Sequence, residues 1–88
     1  MRGLLGTKSL EPNEACWIIP CNSVHTFGMK YPLDIFFLDK NLLVVSIIKN
    51  LKPGRLSPVA WKAHSTLEMI SSAERIIQVG DQLELKAL

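Results

Sequence analysis

The chain has 88 residues, of which 48% are apolar and 20% charged, and its net charge is +2. A chain of this length forms one domain, spanning residues 1–88, and its apolar content is too high for a disordered protein. The mild charge excludes the strongly basic composition of most nucleic-acid-binding domains, so we expect no nucleic-acid partner.

The cysteines and the longest apolar run indicate the compartment. Cys16 and Cys21 are the two cysteines of the chain, and in an extended strand they would lie about 16 Å apart, too far for a disulfide. The opening residues MRGLLGTKSLEPNE lack the apolar core of a signal peptide. The run LLVVSII is far shorter than the ~20 residues of a membrane helix. We therefore expect a cytoplasmic protein with reduced thiols and no membrane partner.

Along the chain the pattern predicts strand after strand. The run ACWIIP predicts a buried strand, and LDIFFLD with LLVVSIIKN predicts a hairpin with Asp39 in its turn. LKPGRLSP is a structured loop, and VAWKAH and TLEMI follow as short strands. SSAERIIQVG, residues 71–80, is the best helix candidate because serine can cap its start and glycine its end. DQLELKAL closes the chain as a strand.

These elements predict a mainly β domain at the margin of the α+β class, with about six strands and one or two short helices. The opening segment RGLLG is too short to stand alone and could be a helical turn. Because a flat sheet leaves its edges open, we expect a small compact barrel or a strongly bent, antiparallel-rich sheet.

A regular spacing of metal-ligand residue types stands out in the segment PCNSVHTFGMKYPLDIFFLD. Cys21, His25 and Met29 recur every fourth residue, and such side chains can bind zinc or Cu(I). A strand would place them on one face but ~13 Å apart. A helix would bring them together, but the prolines and glycine of the segment disfavour one. We expect no metal site and no cofactor.

The same segment supplies candidates for nucleophilic catalysis: Cys21, His25 and Asp34. A catalytic cysteine needs a base within hydrogen-bond reach and a third group that orients the base. The alternative is an inert core cysteine beside a histidine that closes a loop. Asp34 begins a buried strand, where a carboxylate is costly without partners. We expect it to cap the preceding loop by accepting backbone N–H bonds, with a ligand role as the alternative.

Charge is unevenly distributed along the chain. From Lys40 to Leu67 there are five basic residues and no acidic one. This segment could help to bind a small anionic ligand, although a solvated charged rim is the simpler interpretation. The candidate ligand-binding residues are His25, Thr26, Asp34, Lys52 and Arg55.

Four blocks of sequence resemble one known family in the same order: RGLLG, PCNSVHTFGMKYPLDIFFLD, NLKPGRLSP and LEM…VGDQLEL. This is the domain-of-unknown-function 192 family of bacteria and archaea. The resemblance implies a mainly β domain with no settled activity. Its signature covers the following positions: Cys21, Ser23, His25, Thr26, Met29, Pro32, Asp34, Phe37, Asp39, Glu68, Gly80 and Asp81. Family members carry a further segment before RGLLG, so we expect an exposed sheet edge here, which favours pairing with a second copy.

Three hypotheses about function follow. The leading one is a binding or accessory module without catalysis. The rival is an enzyme or metal-binding site at the corner of Cys21, His25 and Asp34, with an anionic ligand held by Lys52 and Arg55. The third is a homodimer formed through an exposed sheet edge.

Overall fold

The computed structural model describes residues 15–73 and 75–84. Four antiparallel strands form one sheet: β1 (Ala15–Ile18), β2 (Leu33–Leu38), β3 (Val44–Leu51) and β4 (Ser65–Ile70). Their order across the sheet is β1-β4-β2-β3. The prediction of a mainly β fold is confirmed. Within the described residues the sheet is open, because β1 and β3 are its edges and do not pair with each other.

The central strand β2 is buried along its whole length, which explains why LDIFFL is a nearly continuous apolar run. On one face Leu33, Ile35 and Phe37 pack with Val24 and Met29 from the connection between β1 and β2. The opposite face carries a second cluster: Phe36, Leu38, Val44 and Leu67, with Ile77 and Leu83 packed against it. The β1–β2 connection therefore packs on one face of the sheet, and the segment after β4 packs on the other.

The predicted hairpin between β2 and β3 is confirmed, including the role of Asp39. The Asp39 carboxylate accepts the N–H groups of Asn41 (2.8 Å) and Leu43 (3.0 Å). The residue with positive φ in this turn is Leu42 (φ 65°). A carboxylate that accepts nearby N–H groups stabilises a turn without the glycine that two-residue hairpins prefer.

The predicted helix over residues 71–80 does not form in its described part, residues 71–73 and 75–80. Tertiary contacts compete with the local helical preference. The Ser72 N–H donates to the Asp34 carboxylate at 3.2 Å, and the Arg75 guanidinium reaches the same oxygen at 2.7 Å. Ile77 packs on the second core cluster. With these contacts the described part of the segment forms turns, such as the one closed by the Arg75 N–H and the Ser72 carbonyl (3.4 Å), instead of a helix.

Two of the predicted strands also need correction. VAWKAH, residues 59–64, forms turns and bends, whereas TLEMI lies in β4 as predicted. In the closing segment Gln82 forms a single bridge with Leu43, and residues 85–88 lie outside the described residues. The segment RGLLG also lies outside them. The described residues thus form four strands, where the sequence predicted about six.

No helix in the described part of the chain is long and apolar enough to cross a membrane.

Candidate functional site

The connections between β1 and β2 (residues 19–32) and between β3 and β4 (residues 52–64) pair with each other; we call them the paired loops. The Thr26 N–H donates to the Arg55 carbonyl (2.9 Å), and the Ser57 N–H donates to the Val24 carbonyl (2.8 Å). Further along, the Ala60 N–H donates to the Asn22 carbonyl (2.8 Å). Two segments far apart in sequence therefore form a short antiparallel ladder beside the main sheet.

Side chains of the ladder alternate between the core and the solvent. Val24, Thr26 and Ser57 are buried. His25 and Leu56, which face each other across an antiparallel bridge, are both exposed. The flanking hydrogen bonds make them a non-hydrogen-bonded pair, the type whose side chains lie closest together. The paired loops thus have a fixed inner side and an outer surface open to a partner.

Thr26 holds the turn at Lys52–Arg55. Its hydroxyl donates to the Lys52 carbonyl (2.7 Å) and accepts the Arg55 N–H (2.9 Å). It thereby sits between the two ends of a turn whose third residue, Gly54, has φ +77°, a conformation that favours glycine. The Gly54 N–H donates to the Thr26 carbonyl (3.0 Å). Thr26 therefore fixes the backbone from which the Lys52 and Arg55 side chains project.

Ser57 makes the corresponding contact further along the ladder. Its hydroxyl accepts the Val24 N–H (2.9 Å) and donates to the Pro58 carbonyl (3.0 Å). The buried Ser57 hydroxyl therefore acts as both acceptor and donor, and its O–H group has a hydrogen-bond partner. Sequence analysis placed a structured loop here but gave no role to Ser57.

The outer surface of the paired loops combines apolar and cationic side chains. Leu56 is 70% and Phe27 59% exposed, and the Phe27 ring stacks on the His25 ring with centroids 5.0 Å apart. The paired loops contain no Asp or Glu. Their four Lys and Arg side chains are all exposed: Lys30, Lys52, Arg55 and Lys62.

Asp34, in contrast, is held by another part of the molecule. Its side chain is completely buried, and Lys49 Nζ (2.9 Å) and Arg75 Nη1 (2.7 Å) both contact Oδ2. The backbone N–H groups of Asn50 and Ser72 also donate to this carboxylate. Asp34 does accept backbone N–H bonds, but the donors come from the end of β3 and the segment after β4, so the predicted cap of the preceding loop is not what these bonds form.

These contacts determine the ionisation of Asp34. Burial by itself would raise its pKa, but the Asn50 N–H, the Lys49 ammonium and the Ser72 N–H together outweigh that effect. The pKa of the Asp34 carboxyl therefore lies below its usual value. An ionised carboxylate with this many donors acts as a structural clamp between β2, β3 and the chain after β4.

Cys21 and His25 have partners different from those of Asp34. The Cys21 thiol donates to the Ser23 carbonyl (3.1 Å), and its backbone N–H donates to the His64 carbonyl (3.0 Å). His25 contacts Phe27. Among residues 15–73 and 75–84, no three His, Cys, Asp or Glu side chains are grouped as metal ligands. Of the predicted ligand-binding residues, the structure brings together His25, Thr26, Lys52 and Arg55.

Sequence analysis assigned no chemistry to Glu68, yet it is a buried carboxyl group in the sheet with an oxygen that lacks a hydrogen-bond partner. It lies in β4 between Cys16 of β1 and Ile35 of β2. Its side chain is 2% exposed, and Oε1 has no hydrogen-bond partner. This burial raises the pKa of Glu68 to about 7. The signal that could have revealed it is a single acidic residue inside the apolar strand TLEMI.

A protein-family model matches the chain over nearly its whole length. The model of the family DUF192, described as "Uncharacterized ACR", matches residues 1–85 of the chain. No curated protein matches, and no solved structure matches.

Proposed function

Because this chain belongs to the DUF192 family, whose function is uncharacterised, we propose a function from the chain's own residues. It is a binding or accessory module without catalysis, and its paired loops bind an anionic ligand. Lys52 and Arg55 supply the positive charge, and His25 lies on the adjacent outer surface. Thr26 acts beneath them as a positioning residue.

The observation that carries this proposal is the contact of one buried hydroxyl with both ends of the turn at Lys52–Arg55. A charged side chain on a free loop loses conformational entropy when it binds a ligand. Here the backbone is already fixed by Thr26, so less of that entropy is lost on binding. If Lys52 and Arg55 served only to keep the surface hydrated, the hydrogen bonds from Thr26 to their backbone would not be needed for that role.

The charge distribution supports the same proposal. The paired loops contain four of the ten basic residues and none of the eight acidic ones, so their net charge is +4. The remainder of the chain has six basic and eight acidic residues, a net charge of −2. A region of one sign attracts ligands of the opposite sign and raises their rate of association.

The rival proposal, an enzyme or metal site at Cys21, His25 and Asp34, draws less support from the geometry. A catalytic carboxylate would have to orient the histidine, whereas Asp34 accepts from Lys49 and Arg75 instead. The Cys21 thiol is directed to a backbone carbonyl. The corner would therefore have to rearrange before catalysis or chelation.

Retention on immobilised heparin, a generic polyanion, tests the anionic-ligand proposal. We expect Arg55→Gln and Lys52→Gln to elute at lower salt than the parent protein. Lys40→Gln, which removes one exposed charge in the β2–β3 turn, is the matched control and should shift elution less. Equal shifts for all three variants would show that only net charge matters and would refute a site on the paired loops.

We also propose that the protein is cytoplasmic and that it self-associates through the outer edge of β3. Two cysteines are too few for the disulfide framework of a small secreted domain, which supports a reducing compartment. Hydrogen bonds from residues 80–83 cover the first part of the β3 edge, at Leu42–Val44. Within the described residues no strand pairs with the rest of that edge. Light scattering at low and high concentration tests this idea, and a strict monomer throughout would refute it.

A further inference from the structure

We propose that the paired loops dock on the surface of an anionic lipid bilayer, with Phe27 and Leu56 entering the interface and the neighbouring cations contacting lipid phosphates. This inference rests on the proposed anion-binding function and names its partner. The fold brings together residues that are distant in sequence: Leu56 faces His25 across the ladder, and the His25 ring stacks on the Phe27 ring. The patch thus consists of Leu56 from one loop and the stacked His25 and Phe27 rings from the other.

The composition of this patch favours lipid over the other polyanions. A single-stranded nucleic acid is bound by aromatic platforms on which bases stack. Phe27 and Trp61 on the paired loops do offer rings, but Leu56, which is 70% exposed opposite His25, is aliphatic and gives a base nothing to stack on. Aliphatic and aromatic side chains beside Lys and Arg are instead the pattern of proteins that lie in the bilayer interface.

The backbone beneath the patch is suited to that environment. Polar groups that leave water need internal hydrogen bonds, since lipid cannot supply them. The N–H groups of Thr26, Gly54 and Ser57 donate to carbonyl oxygens within the paired loops. The Arg55 N–H donates to the Thr26 hydroxyl, and the Met29 N–H closes a turn onto the Thr26 carbonyl. These internal hydrogen bonds satisfy the N–H groups of the residues that flank His25 and Leu56 before the loops meet the interface.

The charge of the paired loops is complementary to that of an anionic membrane surface. Lys30, Lys52 and Arg55 are exposed on the loops that carry Phe27 and Leu56, and no acidic residue of the paired loops opposes them. Each Lys or Arg near an anionic membrane surface contributes about 1 kcal/mol, which is roughly fivefold in affinity. Sequence analysis predicted no membrane partner because it considered only spanning segments. Surface docking needs no such segment.

Co-sedimentation of the full chain with vesicles tests the inference. We use vesicles of phosphatidylcholine and phosphatidylserine in equal parts, and vesicles of phosphatidylcholine alone. The protein should bind the mixed vesicles and not the neutral ones. Leu56→Ala and Phe27→Ala should each lower the partition coefficient by about tenfold, and Arg55→Gln by roughly fivefold. Ile76→Ala, which truncates a side chain 82% exposed outside the paired loops, should leave it unchanged.

The alternative outcomes separate the two proposals. If the mixed vesicles do not bind while heparin retention still depends on Arg55, the lipid inference is wrong and the anion-binding function stands. If neither vesicle binding nor heparin retention depends on Arg55, both the lipid inference and the anion-binding function are wrong. The protein could instead bind a fluorescent oligothymidylate, lose that binding in Phe27→Ala, and fail to bind vesicles. That combination would assign the surface to nucleic acid and overturn the lipid proposal. Because Phe27 and Leu56 are exposed, their truncation should leave the thermal unfolding midpoint nearly unchanged.

Discussion

Thr26 and Arg55 are joined by two reciprocal hydrogen bonds: the Thr26 N–H donates to the Arg55 carbonyl, and the Arg55 N–H donates to the Thr26 hydroxyl, each at 2.9 Å. The first bond belongs to the ladder between the paired loops. The second lets a side chain take the place of a backbone acceptor. Together the two bonds fix the backbone position of Arg55, a candidate anion-binding residue, relative to the buried Thr26 on the other loop.

Replacing Thr26 with valine should destabilise the protein and weaken heparin retention together. Valine preserves the shape but leaves the Arg55 N–H and the Lys52 carbonyl without their partner, and an unsatisfied buried group costs roughly 1–3 kcal/mol. Urea unfolding monitored by fluorescence measures the loss. Thr26→Ser, which retains the hydroxyl, is the control and should keep heparin retention close to that of the parent protein. If Thr26→Val elutes like the parent, Thr26 has no positioning role.

Removing the charge of Asp34 should be among the most costly single changes in this fold. Asp34→Asn leaves Arg75 without its buried anion, and breaking such a pair costs about 3–5 kcal/mol. Within the pair of cations, Arg75→Gln should cost more than Lys49→Gln. The Arg75 side chain is 17% exposed and that of Lys49 is 45% exposed, so solvent screens the Lys49 contact more strongly. Equal losses in chemical denaturation would contradict this ranking.

Glu68 should make the protein more stable at mildly acidic pH than above neutrality. Its folded-state pKa, about 7, exceeds the ordinary value of 4.5, so between these values the folded state binds more protons than the unfolded state. The free energy of unfolding therefore falls as pH rises from 4.5 to about 7, by roughly 3 kcal/mol in total. Urea midpoints measured across this range should show the decline. Glu68→Gln, which does not titrate, should flatten it; an unchanged slope in that variant would exclude Glu68 as the cause.

Asp34 should produce the opposite trend at lower pH. Because its folded-state pKa lies below the ordinary value of 3.8, its contribution is present above that value and is lost as pH falls through the folded-state pKa. Together with Glu68 this gives a stability maximum near pH 4–5, which acid titration of circular dichroism can locate. In Asp34→Asn the loss on the acidic side should be smaller, since the group that protonates is absent.

Asn50 should tolerate glycine but not alanine. Its φ is 57°, in the left-handed region where a Cβ costs roughly 1–2 kcal/mol, and asparagine tolerates this region better than other residues. The same conformation directs the Asn50 N–H to Asp34 Oδ1 at 3.0 Å. We therefore expect Asn50→Ala to lower the unfolding free energy by about 1 kcal/mol and Asn50→Gly to leave it nearly unchanged. The reverse order in thermal or urea unfolding would show that the side chain has a role beyond conformation.

The sequence by itself determined the features that depend on neighbouring residues. The period and composition of ACWIIP, LDIFFLD and TLEMI were sufficient for three strands. The runs LDIFFLD and LLVVSIIKN indicated the hairpin, and Asp39 could be placed in its turn because its partners, Asn41 and Leu43, are nearby in the chain. The order of four short blocks was sufficient to indicate the family, which the match over residues 1–85 established.

Only the tertiary structure decided which distant residues meet. Asp34 finds its donors at the end of β3 and after β4, and these contacts override the local preference of residues 71–80 for a helix. Sequence analysis had grouped Cys21 and His25 with Asp34 as candidates for one catalytic site, whereas the ladder places His25 opposite Leu56. The physical reason is that a buried polar group must be satisfied wherever the fold supplies a partner, and that partner is set by packing instead of by separation along the chain.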